Sequence, residues 1–265
     1  MQTKLKVLAV GCSMTKGHGL KHESSDPELW VNKLFPCNKY KVINKSKTGV
    51  NNHWIFLETI SQLLTETYDI VLVGWSAIPR FNFNVGLELY STHTMLASAD
   101  ASVNLNNDTT ISGKWLKSIG DNLKKIHNDH WDFLDLVKYV NVLILLQEQK
   151  NNGRLFFVNT LGPWSDDYFS KKQINLPSDL SLFEQNLLQV NTRDDEEIFQ
   201  LYEMIHNHYE IYGGIQQDHW LNLYSSLRSM QIDDVSNSDK HPGYNSQNIF
   251  ANYLLPVLKE KLKCE

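Results

Sequence analysis

The sequence predicts a three-layer α/β/α domain built on a parallel sheet of about five strands, with a helical insertion. Three observations predict it. Short runs rich in valine and leucine end abruptly in glycine or polar residues, the pattern of strands buried on both faces. Segments with helical apolar spacing lie between those runs. The two kinds alternate along the chain, and such alternation requires crossover connections and a sheet covered on both sides.

The first predicted strand is "KLKVLAV" (4–10), which stops at Gly11. "KYKVIN" (39–44) is the second. "YDIVLVGW" (68–75) is the strongest, with Asp69 leading into a continuous apolar run. "GRLFFVNT" (153–160) is the fourth, and "HWLNLYS" (219–225) a weaker fifth. Between them, "HWIFLETISQLLTET" (53–67) carries Ile55, Ile60, Leu63 and Leu64 near one helical face. The segment 130–153 is long and apolar, and Gly153 suits its end. Residues 194–214 open with four acids, which favours a helix N-terminus there, and Gly213 and Gly214 close it. The last segment (246–263) is amphipathic, and Pro256 is expected to kink or interrupt it. The chain reads as one domain over 1–265, with an insertion at about 81–130 between the third and fourth strands. Within it, residues 98–113 read as a polar exposed loop.

Composition removes several function classes. The 265 residues are 42% hydrophobic and 21% charged, as in a soluble globular protein. A net charge of −5 argues against nucleic-acid binding, which needs clustered Lys and Arg. No apolar run approaches the ~20 residues of a membrane helix, and Val7–Val10 is too short for a signal core of roughly 7–15 apolar residues. The expected location is cytoplasmic or virion-associated, the high Asn and Lys content suggesting an AT-rich bacterial or phage genome. Cys12, Cys37 and Cys264 have neither disulfide nor zinc spacing, and no metal is expected. The histidine pairs His127/His130 and His206/His208 lack a third ligand and read as surface residues.

In open parallel sheets, sites form beyond the carboxyl ends of the strands. Ser13 and Thr15 follow the first strand, and Asn44, Ser46, Thr48 and Gly49 the second. Trp75 and Ser76 follow the third, and Asn159, Gly162 and Trp164 the fourth. Near the C-terminus, "SDKHPG" offers Asp239 and His241, and Pro242 restricts His241 to an extended backbone. A serine hydroxyl becomes a useful nucleophile when an imidazole takes its proton, and a carboxylate on the other ring nitrogen sets the tautomer. Ser13, His241 and Asp239 supply those three groups.

These blocks resemble the SGNH hydrolase family of GDSL-type esterases and lipases. Gly11-Cys12-Ser13-Met14-Thr15 is similar to its first block, Gly-Asp-Ser-x-Thr, with the serine as nucleophile. Gly49 in "NKSKTGVNN" matches the glycine whose N–H serves the oxyanion hole. Asp239-Lys240-His241-Pro242 is similar to the last block, one residue shorter between acid and base; Asp233, Asp234 and Ser238 stand as other partners for the imidazole. The resemblance spans almost the whole chain and implies a flavodoxin-like sheet. It also implies a Ser13–His241–Asp239 triad and oxyanion donors at Ser13, Gly49 and Ser76, with no cofactor.

Two positions depart from the family pattern. Cys12 stands where the first block has aspartate, and is expected to be an inert buried thiol. Gly74-Trp75-Ser76-Ala77 stands where the third block has Gly-x-Asn-Asp, so Ser76 offers a shorter donor than asparagine. Losing an oxyanion donor costs ~10²–10³ in rate, so a slow site is expected, or one that recruits Asn51 or Arg80. Trp75, Arg80 and Trp164 are the expected substrate-binding residues. The resemblance implies hydrolysis of a small acyl ester, with an O-acetyl group on a carbohydrate as the leading substrate. The rival readings are an O-acyltransferase using the same triad and a non-catalytic carbohydrate-binding protein on the same scaffold. The sequence leaves the oligomeric state open.

Overall fold

The computed structural model describes residues 3–76, 80–85, 88–93, 129–150, 153–161, 207, 211, 213, 216–222 and 226–263. Five parallel strands form the main sheet: β1 (Leu5–Gly11), β2 (Tyr40–Asn44), β3 (Ile70–Trp75), β6 (Arg154–Asn159) and β7 (Trp220–Asn222), in the order β2-β1-β3-β6-β7. The inner strands carry the continuous apolar runs. Val7 to Val10, all of β3, and Leu155 to Val158 are buried, whereas the edge strand β2 is mostly half-exposed. Continuous burial follows from covering both faces of a parallel sheet.

The helices supply that cover. α1 (Ser13–Lys16) and α2 (Trp30–Leu34) lie in the β1–β2 connection, and α3 (Asn52–Thr65) links β2 to β3. α4 (Asp129–Lys150) precedes β6, and α5 (Tyr244–Lys263) ends the chain. α2 packs on α5, and α3 packs on α4. The β1–β2 crossover runs one way along the sheet, and those through α3 and α4 run the other way. Because such crossovers are right-handed, α2 and α5 cover one face and α3 and α4 the opposite one. The direction reverses between β1 and β3, and the crevice beyond the ends of these strands is where sheets of this kind place their sites.

The five predicted main-sheet strands and the first, second and last long helices are all present, within a few residues of their expected bounds. The fifth strand is only three residues, Trp220–Asn222. Pro256 does not interrupt α5, which continues to Lys263. Its ring removes one backbone donor, whose usual acceptor is the carbonyl of Asn252. Asn252 and Pro256 are both on the exposed face, where solvent can reach the helix, while buried Leu254 and Leu258 hold the helix on the core.

Where the insertion was expected, the chain forms strands the periodicity did not announce. β4 (Arg80–Val85) and β5 (Glu88–His93) form an antiparallel pair. The rest of the expected insertion up to Asp129, and most of the expected 194–214 helix, lie outside the described residues. No helix among the described residues is long and apolar enough to cross a membrane.

Gly11 and Gly74 are cross-strand partners at the ends of β1 and β3. A Cβ on either would run into the side chain of buried Thr15. On Gly11 it would also lie 2.6 Å from Thr15 Cβ and 2.9 Å from the Gly74 carbonyl oxygen. Gly11→Ala is therefore expected to destabilise the fold by ~1–3 kcal/mol, the usual scale for overpacking a dense core. Urea denaturation checks this; an unchanged midpoint would show that the β1–β3 ends do not need the space.

Candidate active site

The first strand delivers Ser13 by a sharp strand-to-helix turn. Cys12 is the extended N-cap residue of α1, and its carbonyl oxygen accepts from the N–H groups of Thr15 and Lys16 at 3.1 and 3.0 Å. Gly17 closes the short helix in the left-handed region, at φ +76°. Ser13 is 4% exposed. Cys12 is fully buried, with its sulfur 3.7 Å from Thr160 Oγ1, in line with an inert core thiol.

Asp239 and His241 lie on a loop folded back on itself. The Val235 N–H donates to the His241 carbonyl oxygen (2.8 Å), and the Gly243 N–H to that of Asp233 (2.9 Å). Asp233 also anchors this loop to α5, accepting from the N–H groups of Asn245 (3.0 Å) and Ser246 (2.7 Å) and from the Ser246 hydroxyl. Burial opposes ionisation of Asp233, but these bonds outweigh it and hold its carboxyl below the usual range. A carboxylate at a helix N-terminus is also favoured by the helix dipole. Asp234 pairs with Lys240 at 2.7 Å. Neither of these acids contacts the imidazole.

Asp239 does. Its Oδ1 lies 2.5 Å from His241 Nδ1 and also accepts the His241 backbone N–H at 3.0 Å. Burial pushes the Asp239 carboxyl up. The hydrogen bonds from the His241 ring and the His241 N–H, with the attraction of the His241 and His18 rings in their protonated forms, more than offset this and hold it below the usual range. An ionised Asp239 accepts Nδ1–H and leaves Nε2 with its lone pair.

The structure adds a residue that the sequence motifs did not mark. The His18 ring meets the His241 ring edge-on, with centroids 4.8 Å apart. The His18 backbone N–H donates to the Ser13 carbonyl oxygen at 3.0 Å, so His18 touches both halves of the site. Its Nδ1 lies 3.4 Å from Thr48 Oγ1 and 3.6 Å from Glu23 Oε1. Glu23 pairs with Lys16 at 2.7 Å, and this contact leads the causes that lower its carboxyl's pKa. Glu23 sits at φ +43°, uncommon for a residue with a side chain. Gly19, at φ +82°, lets the two loops touch, since a Cβ there would lie 2.6 Å from Asp239 Oδ2. Flanking glycines were the only trace of this contact in the sequence.

No hydrogen bond joins Ser13 Oγ to His241 among the described residues; the link between them runs through His18. Gly49 lies at φ +80°, a conformation that glycine adopts without strain. Its loop runs past the end of β1, where the Lys47 N–H donates to the Gly11 carbonyl oxygen at 3.0 Å. Ser76 is 1% exposed. Asn52 clamps its backbone, accepting the Ser76 N–H at 2.8 Å and donating to its carbonyl oxygen at 3.2 Å. The Ser76 hydroxyl is buried without a hydrogen-bond partner among the described residues. Asn51 caps α3, accepting the Trp54 N–H at 2.9 Å.

Of the expected substrate-binding residues, Trp75 ends β3. It is 1% exposed, with its ring centroid 5.9 Å from that of Phe157, and packs in the core. The apolar β3 run carries it inward. Arg80 lies on β4. Trp164, His127, His206 and His208 lie outside the described residues.

No family model and no curated protein matches the chain. Among solved structures it is similar to a psychrotrophic esterase from Pseudoalteromonas sp. (12% identity, 98% of this chain and 99% of that one, TM-score 0.45). It is also similar to a catalytic mutant of an acetylxylan esterase from Geobacillus stearothermophilus (11%, 97% and 95%, TM-score 0.46). A member of the lipolytic protein G-D-S-L family from Veillonella parvula is a third (11%, 96% and 98%, TM-score 0.42). These likenesses span nearly the whole chain at identities and TM-scores too low to carry family, activity or substrate across.

The lowered Asp239 carboxyl sets a pH dependence of stability. Its ionised form stabilises the fold above the ordinary Asp value of ~3.9, and that contribution is lost as pH falls through the lower folded value. Asp239→Asn lacks this contribution. Below pH ~4 the wild-type unfolding free energy should therefore fall more steeply than that of the variant. Urea melts at stepped pH check this, and parallel curves would count against the Asp239–His241 contact.

Proposed function

We propose that this chain is a serine ester hydrolase acting on a small acyl ester. Ser13 is the nucleophile, His241 the general base and Asp239 the carboxylate that orients it. The observation that carries this reading is the Asp239–His241 hydrogen bond, made at the end of a parallel sheet whose first strand leads into Ser13.

Asp239 holds the His241 proton on Nδ1, so Nε2 accepts the Ser13 proton as Oγ bonds to the acyl carbon. His241 then gives that proton to the departing alcohol. Water, deprotonated by the same nitrogen, attacks the acyl-serine and frees the acid and the serine. Serine and imidazole engage fully only with substrate bound, as is common for catalytic contacts that are loose in the free enzyme. The N–H groups of Ser13 and Gly49 are the proposed oxyanion donors. The Ser76 hydroxyl is the third; it is buried with no hydrogen-bond partner among the described residues, and an oxyanion would supply one.

The resemblance to SGNH hydrolases supports an acetyl ester, with a carbohydrate as its carrier. Trp75 is buried in the core, so this reading does not rest on its ring stacking against a sugar. Neither a metal nor an organic cofactor enters these steps. Product analysis with added alcohol separates hydrolysis from acyl transfer.

A fluorophosphonate probe should label wild type at Ser13. Ser13→Ala should lose both labelling and turnover of p-nitrophenyl acetate while its circular dichroism stays unchanged. Turnover by the folded variant would remove Ser13 from the role. Ser76→Ala should lower kcat by roughly tenfold or more and move KM less, as expected for a donor used mainly in the transition state. Full kcat in that variant would exclude Ser76 from the oxyanion site.

A further inference from the structure

We propose that His18, Asp239 and His241 bind a divalent transition-metal ion of the zinc type, and that the bound ion inhibits by capturing His241. The inhibitory half rests on the hydrolase reading; the binding half does not. One ring nitrogen from each histidine and one Asp239 oxygen lie within 4.8 Å of one another. Two imidazoles and one carboxylate make a common zinc ligand set, with a fourth position for water. At ~2.1 Å bonds and tetrahedral angles, the ligand atoms need to stand roughly 3.4 Å apart. Moving the ligand atoms from their present separations to that spacing is the rearrangement that binding requires.

Two further features suit a cation. His18 Nδ1 faces Thr48 and Glu23, and such outer partners hold an imidazole in the tautomer whose other nitrogen ligates. All three side chains are part-exposed, His18 most at 38%, so an ion enters from solvent without unfolding. The neighbouring cations are already paired, Lys16 with Glu23 and Lys240 with Asp234.

Capture of His241 by either nitrogen blocks the proposed chemistry. Through Nε2, the ion takes the lone pair that Ser13 needs. Through Nδ1, it displaces the hydrogen bond to Asp239.

The full chain titrated with Co2+ and followed by visible absorption should show one saturable tetrahedral-type spectrum, bleached by competing Zn2+. His18→Gln, checked for folding by circular dichroism, should weaken binding by at least the ~10–100-fold that loss of an outer partner alone costs. Ser13→Ala should bind as wild type does, which keeps this measurement independent of activity. No saturable spectrum, or one unaffected by His18→Gln, would overturn the site. Zn2+ should also suppress wild-type ester turnover, with recovery on adding EDTA. Unchanged turnover at saturating Zn2+ would overturn the inhibitory half, whereas a protein that binds Co2+ and hydrolyses no ester would sink the hydrolase reading and leave the site standing.

Discussion

Gly11 and Gly74 face each other across β1 and β3, and Thr15 fills the space left by their missing side chains. The rest of the site depends on that close approach. It lets the chain turn at once from strand into α1, so that Ser13 emerges at the reversal in strand order. It also sets Ser13 and Ser76 each two residues beyond a matched pair. A larger residue at either glycine would part the strand ends at the point where the crevice forms. Asparagine side chains join the same edge: Asn52 clamps Ser76, Asn44 donates to the Thr15 carbonyl oxygen, and Asn222 pairs with the backbone of Asn159. Beyond the last ladder bonds, these amides continue the work of the sheet.

The other half of the site comes from the far end of the chain and depends on Asp233. By accepting from the first N–H groups of α5, it ties the loop to a helix that is itself packed on α2. The loop's own backbone bonds then turn Asp239 and His241 toward the Gly17–Gly19 segment. A loop without this anchor would present the same two residues in many orientations. This explains why so short an Asp-x-His spacing can still form a hydrogen-bonded pair.

His18 connects the two halves. A histidine beside a histidine is electrostatically unfavourable when both are charged, and Glu23 and Asp239 lie on either side to offset that. The pairing leaves a small, part-exposed group of nitrogen and oxygen ligands next to the proposed nucleophile. The proposed proton transfer and the proposed metal capture thus draw on the same lone pairs of His241.

The sequence by itself determined the sheet. Continuous apolar runs can be buried only as inner parallel strands, so β1, β3 and β6 were legible, as were α3 and α5 from their amphipathic spacing. The candidate residue Ser13 was legible from its place directly after a strand, and Asp239 and His241 from theirs just before the last helix. Tertiary structure alone decided the rest. The local pattern after β3 does not say whether Trp75 faces a site or the core, and burial against Phe157 chose the core. Pro256 carries a local penalty that packing of Leu254 and Leu258 overrides. His18 has no motif of its own; its meaning comes from a loop more than two hundred residues away. Contacts of that kind depend on which loops the closed sheet brings together, and no local pattern of residues records them.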